Sequence, residues 1–163
     1  MNLYYILIVD DEREVLDSVY QDLSVLSGKF DLELAENAAE AAEVIQEMKN
    51  QGKTLSLILC DHVMPGMKGV DFLVSLQKQD DTRPAKKILI TGQAGLQATI
   101  LAVNEAGLDY YVAKPWKADE LLKVVVKQLT DFVLQHEENP ANYVSVLDQA
   151  RIFEAIHAGG NGP

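Results

Sequence analysis

Residues 3–12 read LYYILIVDDE, seven apolar residues followed by three acidic ones. A run that is short and apolar throughout reads as a strand covered on both faces, as in a parallel sheet with helices above and below. A second such run, LSLILCD at residues 55–61, also ends on an aspartate. Weaker strand-like runs lie at Leu32 to Ala35, Lys87 to Thr91 and Tyr110 to Ala113. Between them, apolar residues recur at helical spacing. Val15, Leu16, Val19, Leu23 and Leu26 form one stripe, and Ala38, Ala41, Ala42, Ile45 and Met48 a second. Val70, Phe72, Leu73 and Leu76 mark a third helix; Ala98, Leu101, Ala102 and Ala106 mark a fourth that stops near Gly107, and a fifth starts after Pro115. The alternation predicts an α/β fold: a flavodoxin-like, doubly wound, five-stranded parallel sheet of order 2-1-3-4-5, with helices on both faces and a C-terminal helical extension.

At 163 residues, 48% of them hydrophobic, the chain fills one core and is too short for two ordinary domains. No apolar run approaches the roughly 20 residues that span a bilayer, and the N-terminus lacks a basic start and a small-residue cleavage site, so a cytoplasmic protein is expected. The single cysteine, Cys60, ends an apolar run and reads as a small core residue. The net charge is −11; residues 1–48 hold twelve Asp and Glu against Arg13 and Lys29. That surface repels phosphate backbones and anionic lipid, which argues against direct nucleic-acid or membrane binding and favours a cation or a basic partner.

In a doubly wound sheet the loops that follow the strands share one edge. The residues placed there are Asp10 and Asp11 after the first strand, Asp61 after the third, Thr91 at the end of the fourth and Lys114 after the fifth. Carboxylates gathered so closely repel unless a cation lies among them, and an all-oxygen site suits Mg²⁺, with Mn²⁺ as a substitute. Asp61 is central and is the natural nucleophile toward a phosphoryl group. Lys114 and the Thr91 hydroxyl are placed to neutralise or bind the transferring oxygens. Singly, each residue has a plainer reading: Asp10 and Asp11 as helix caps, Asp61 as a turn residue before Pro65 and Gly66, Thr91 as a strand residue, Lys114 as a surface charge.

The motifs together resemble the receiver domain of the response regulators of two-component signalling. The matching stretches are LIVDDE (7–12), LILCDHVMPGMKG (57–69), ILITG (88–92) and YVAKPW (111–116), in family order and at family spacing. The resemblance implies a receiver over residues 1–138, followed by a short helical tail or linker with a flexible end over 139–163. It implies that Asp61 accepts phosphate from a histidine kinase or a histidine phosphotransfer protein. Mg²⁺ would then be held by Asp11, Asp61 and the backbone carbonyl of Val63, with Asp10 acting largely through water. Thr91 and Tyr111 would form the switch, and the helix 4/strand 5/helix 5 face would control a partner or dimerisation. Such a protein assists its own phosphorylation and dephosphorylation and is not an enzyme. The family also leads one to expect a cis Lys114–Pro115 bond and tuning of the phosphoryl lifetime by Val63 and Gln93.

Two rivals fit parts of the pattern. A haloacid-dehalogenase-like, Mg²⁺-dependent phosphatase would want a second aspartate two residues after the nucleophile, where Val63 stands. An FMN-binding flavodoxin relative would want Ser, Thr and Gly where Asp10, Asp11 and Glu12 stand. His62 is expected to face solvent, and Trp116 to anchor the start of the fifth helix. After EENPAN (137–142) comes an amphipathic stripe of Tyr143, Val146, Leu147, Ala150, Phe153 and Ile156. It offers one helix and a single arginine, unlike a helix-turn-helix, and is expected to pack on its own domain or on a second copy, with the linker of a longer multidomain protein as the next alternative.

Overall fold

The computed structural model describes residues 1–92 and 95–160. Its elements run β1 (Tyr4–Val9), α1 (Arg13–Leu23), β2 (Phe30–Ala35), α2 (Ala38–Asn50), β3 (Thr54–Cys60), α3 (Gly69–Gln77), β4 (Lys86–Thr91), α4 (Leu96–Glu105), β5 (Tyr110–Ala113), α5 (Ala118–His136) and α6 (Gln149–Gly160). Short 3-10 turns follow α1 and precede α6. The five strands form one parallel sheet in the order β2-β1-β3-β4-β5, as the alternation of patterns predicts.

Every residue of β1 is buried because side chains alternate between two cores. Tyr4, Ile6 and Ile8 enter the core formed with α1 and α5, while Tyr5, Leu7 and Val9 enter the core formed with α2, α3 and α4. In β3 the alternation slips. Tyr5 pairs with Leu55 and Ile6 with Leu57, so Ser56 is an extra residue in the ladder. Its hydroxyl donates to the Tyr5 carbonyl at 2.8 Å. The bulge puts Leu55 and Leu57 on opposite faces, although simple alternation would put them on the same one.

Local chemistry fixes the helix ends. The Asn37 side chain caps α2 by accepting from Glu40 N at 2.8 Å. Gly107, with φ +66, turns the chain out of α4, and the Leu108 amide returns to the Ala102 carbonyl. Beyond α5 the chain stays on the same body: Tyr143, Leu147 and Ile152 are buried in the α1/α5 core. The Tyr143 ring packs at a tilt against Phe30 and Tyr4, and Tyr4 meets Phe132 edge-on. Arg151 pairs with Asp131 of α5, and the Asp148 amide donates to the Thr130 hydroxyl. Tyr143, Leu147 and Ile152 thus pack the segment in part on its own domain. Phe153 and Ile156 stay outside, 50% and 38% exposed. None of the described helices is long and apolar enough to cross a membrane.

Candidate functional site

The strand order makes the site. β1 and β3 are neighbours and connect to helices on opposite faces, so their C-terminal ends open onto a crevice. Ladder bonds seat the acidic residues there: Asp10 N donates to the Ala35 carbonyl and Asp61 N to the Val9 carbonyl. Asp10 and Asp61 are buried, whereas Asp11 and Glu12 are exposed on the open side. Oxygens of all four carboxylates lie within 4.8 Å of one another. Lys114 enters from the end of β5, with Nζ 2.7 Å from Asp10 Oδ2, 3.3 Å from Asp61 Oδ2 and 3.7 Å from Glu12 Oε1. Asp11, Glu12, Asp61, Val63, Thr91, Gly92 and Lys114 line the cleft, which measures about 310 Å³.

One ammonium cannot balance four carboxylates. At an effective dielectric near 20, two like charges about 4 Å apart repel by about 4 kcal/mol, so the cluster favours a further cation. Burial raises the Asp10 carboxyl above its ordinary range despite the Lys114 bond, which pulls the other way. Burial would lower the Lys114 ammonium, but the bonds to Asp10 and Asp61 outweigh it and hold the group above its usual value. The donor set is entirely oxygen, buried on one side and open on the other, and so fits Mg²⁺ that keeps part of its water shell. Both Asp10 oxygens already have partners, since Oδ1 accepts from Glu12 N and Oδ2 from Lys114.

The loop that follows is pinned to the Asp61 side chain. His62 N donates to Asp61 Oδ1 at 2.8 Å, and Gly69 N donates to the His62 carbonyl at 2.9 Å. A Cβ on Gly69 would stand 1.7 Å from the Asp61 carbonyl oxygen, so only glycine can begin α3 here. His62 differs from the sequence expectation. It is buried, and its Nδ1 accepts from Val70 N at 3.4 Å, meeting an amide that the first turn of α3 leaves without a helical partner. Met64 is buried beneath the loop while Met67 is exposed.

The remaining sequence candidates that are described reach the same edge or border it. Thr91 is buried at the end of β4, and Val63 is 53% exposed at the mouth of the cleft. Tyr111 is half-buried on β5, packed against the α2/α3/α4 core, while Tyr110 is exposed. Lys114–Pro115 is cis. Gln93 lies outside the described residues. Sequence reasoning missed Glu12, which sits in the acidic cluster, and Gly69, although the DDE run and the glycine closing the PGMKG stretch were visible signals. It also missed the bond from Trp116 Nε1 to Asp22 Oδ2, 2.8 Å, which no spacing rule reveals. A larger cleft, about 660 Å³ between α2 and α3, touches the loop only through Pro65, Gly66 and Met67, and the converging charges are not in it.

Comparison with known proteins agrees with this geometry. A solved CheY-like response regulator receiver domain protein from Methanospirillum hungatei JF-1 is 31% identical and superposes with a TM-score of 0.70, covering 82% of this chain and 99% of that one. The Hydrogenase transcriptional regulatory protein HoxA of Bradyrhizobium diazoefficiens is 31% identical over 138 residues, 83% of this chain and 26% of that protein. Response regulator Rre1 of Synechocystis is 31% identical over 120 residues, 74% of this chain and 49% of that protein. The chain thus spans between about a quarter and half the length of these two relatives. The phosphatase alternative gains no support, and the position its second aspartate would need is Val63. A family model described as the response regulator receiver domain matches residues 6–126. With those motifs converging on one acidic crevice, the chain belongs to the response regulators of two-component signalling and carries their receiver domain.

Proposed function

We propose that Asp61 is the phosphoacceptor and that its phosphorylation by a histidine kinase or a histidine phosphotransfer protein resets the α4–β5–α5 surface. The observation that carries this reading is the position of Lys114. Its ammonium bonds one oxygen of Asp61, while the cleft in front of that carboxylate stays open between Val63, Thr91 and Asp11. An Asp61 oxygen forms the new P–O bond as the P–N bond to the donor imidazole breaks, the nitrogen keeping the electron pair and taking a proton. Lys114 pairs with a phosphoryl oxygen and so holds charge that would otherwise face Asp10 and Asp61. The Thr91 hydroxyl donates to another. Asp11, Asp61 and the Val63 carbonyl would hold Mg²⁺, while both Asp10 oxygens are engaged by Glu12 N and Lys114. Bound there, Mg²⁺ would offset the carboxylate charge and supply Lewis-acid stabilisation to the transferring group.

Receiver domains are not classical enzymes, and here the protein contributes the acceptor itself. As Thr91 draws toward the phosphoryl group, Tyr111 turns inward and carries the change to the exposed Leu96, Ile100, Val103 and Tyr110 of α4 and β5. The recipient is a protein, a partner or a second copy, since the net charge of −11 opposes direct contact with nucleic acid. Val63 cannot orient water through its side chain, so the phosphoryl group outlasts that of Val63→Asn; equal release rates in the two proteins would remove this part of the reading.

The test is incubation with acetyl phosphate and Mg²⁺, followed by intact mass and size measurement. Wild type gains one phosphoryl group and Asp61→Asn gains none. An equal gain by Asp61→Asn would refute the assignment.

A further inference from the structure

Lys114 serves the acceptor from a short stretch, 114–117, between β5 and α5, of which Pro115 and Lys117 are exposed. On the sheet side Lys114 N donates to the Thr91 carbonyl at 3.2 Å. On the far side Trp116 lies half-buried against the α1/α5 core, and its Nε1–H donates to Asp22 Oδ2 at 2.8 Å. Asp22 sits in the last turn of α1, the helix that begins directly after Asp10, Asp11 and Glu12. The bond therefore joins the segment that carries the lysine to the helix that grows from the acidic pair. It closes a frame of β1, α1, Trp116 and Lys114 around the acceptor. Without it the ring still packs, but the stretch loses its directional tie to α1, leaving the reach of the ammonium two residues earlier to its own bonds with Asp10 and Asp61.

We infer that Trp116 and Asp22 are positioning residues for phosphoryl transfer, a buckle between α1 and the β5–α5 stretch that sets how far Lys114 reaches toward Asp61. The inference rests on the proposed role of Asp61. Neither Trp116 nor Asp22 touches the groups that would hold Mg²⁺, whereas the transfer step needs the ammonium in place, so the predicted defect is selective.

The test measures phosphoryl uptake from acetyl phosphate in the full chain, with Mg²⁺ affinity read separately by calorimetry. Trp116→Phe, which keeps the ring and loses the N–H, and Asp22→Leu each slow uptake about tenfold while leaving the Mg²⁺ dissociation constant within about twofold of wild type. Asp22→Asn, whose side-chain oxygen still accepts, takes up phosphate near the wild-type rate. In a Lys114→Ala background, Trp116→Phe adds no further slowing. Thermal melts identify any variant that fails to fold, and Asp22→Asn against Asp22→Leu then decides on its own. Wild-type uptake by Trp116→Phe and Asp22→Leu overturns the inference, and so does an undiminished Trp116→Phe effect in Lys114→Ala. Loss of labelling in Asp61→Asn alongside either result would leave the acceptor assignment standing, whereas labelling of Asp61→Asn would remove that assignment first.

Discussion

The two ends of the sheet are built on opposite principles. At the C-terminal ends of β1 and β3, four carboxylates crowd round one lysine, and burial raises the Asp10 carboxyl. Near the start of β1, Tyr4 meets Phe30, Phe132 and Tyr143 in an aromatic cluster that α5 and the segment after it complete. Beside it the charges are matched, with Asp131 between Arg151 and Lys127. Repulsion held in place at one end favours a cation there. Burial at the other supplies the stability that tolerates it.

The largest loss of stability is expected at the aromatic end. Tyr143→Ala removes a ring that is 6% exposed and should cost about 3 kcal/mol in denaturant unfolding. Phosphoryl uptake by the molecules that remain folded should be unchanged. At the acidic end the sign reverses with a ligand: Mg²⁺ at about a hundred times its dissociation constant should stabilise wild type by about 2.7 kcal/mol. Asp61→Asn should show little of that gain in a thermal melt taken with and without the metal.

Gly69→Ala probes the junction between acceptor and loop. The added methyl collides with the Asp61 carbonyl, so a cost of about 2 kcal/mol is expected; if Asp61 is the phosphoacceptor, phosphoryl uptake should slow as well, because the displaced atom belongs to that residue. The smallest effect belongs to Arg151→Ala, about 0.5 kcal/mol at pH 7 for a partly exposed pair. Burial alone would raise the Asp131 carboxyl, but Arg151 and Lys127 outweigh it and hold it below the ordinary range. A carboxyl depressed in the folded state stabilises above its unfolded value and loses that contribution as pH falls through the folded one. The difference between Arg151→Ala and wild type should therefore shrink below about pH 4.

The strands, their order and the converging residues were legible because burial on both faces leaves uninterrupted apolar runs, and because a parallel sheet collects strand ends on one edge. What escaped depends on partners that periodicity does not specify. Ser56 carries no turn signal, yet its bulge reverses the facing of Leu55. The apolar stripe after Pro140 announced a covered face without saying that Phe30 and Tyr4 would cover it. His62, a polar residue in a polar loop, reads as exposed until α3 is seen to begin with an amide that its ring can accept. The bond between Asp22 and Trp116 joins residues separated by most of the fold.

The central claim is that the acidic crevice exists to turn the Asp61 carboxylate into an acyl phosphate. Its most direct test is to load the protein with acetyl phosphate and Mg²⁺, reduce with borohydride, which converts an acyl phosphate to the alcohol, and map the modified residue by peptide mass. Homoserine at position 61 is the predicted result. An unreduced Asp61 with phosphate retained on His62, or reduction at Asp10 or Asp11 instead, would contradict it.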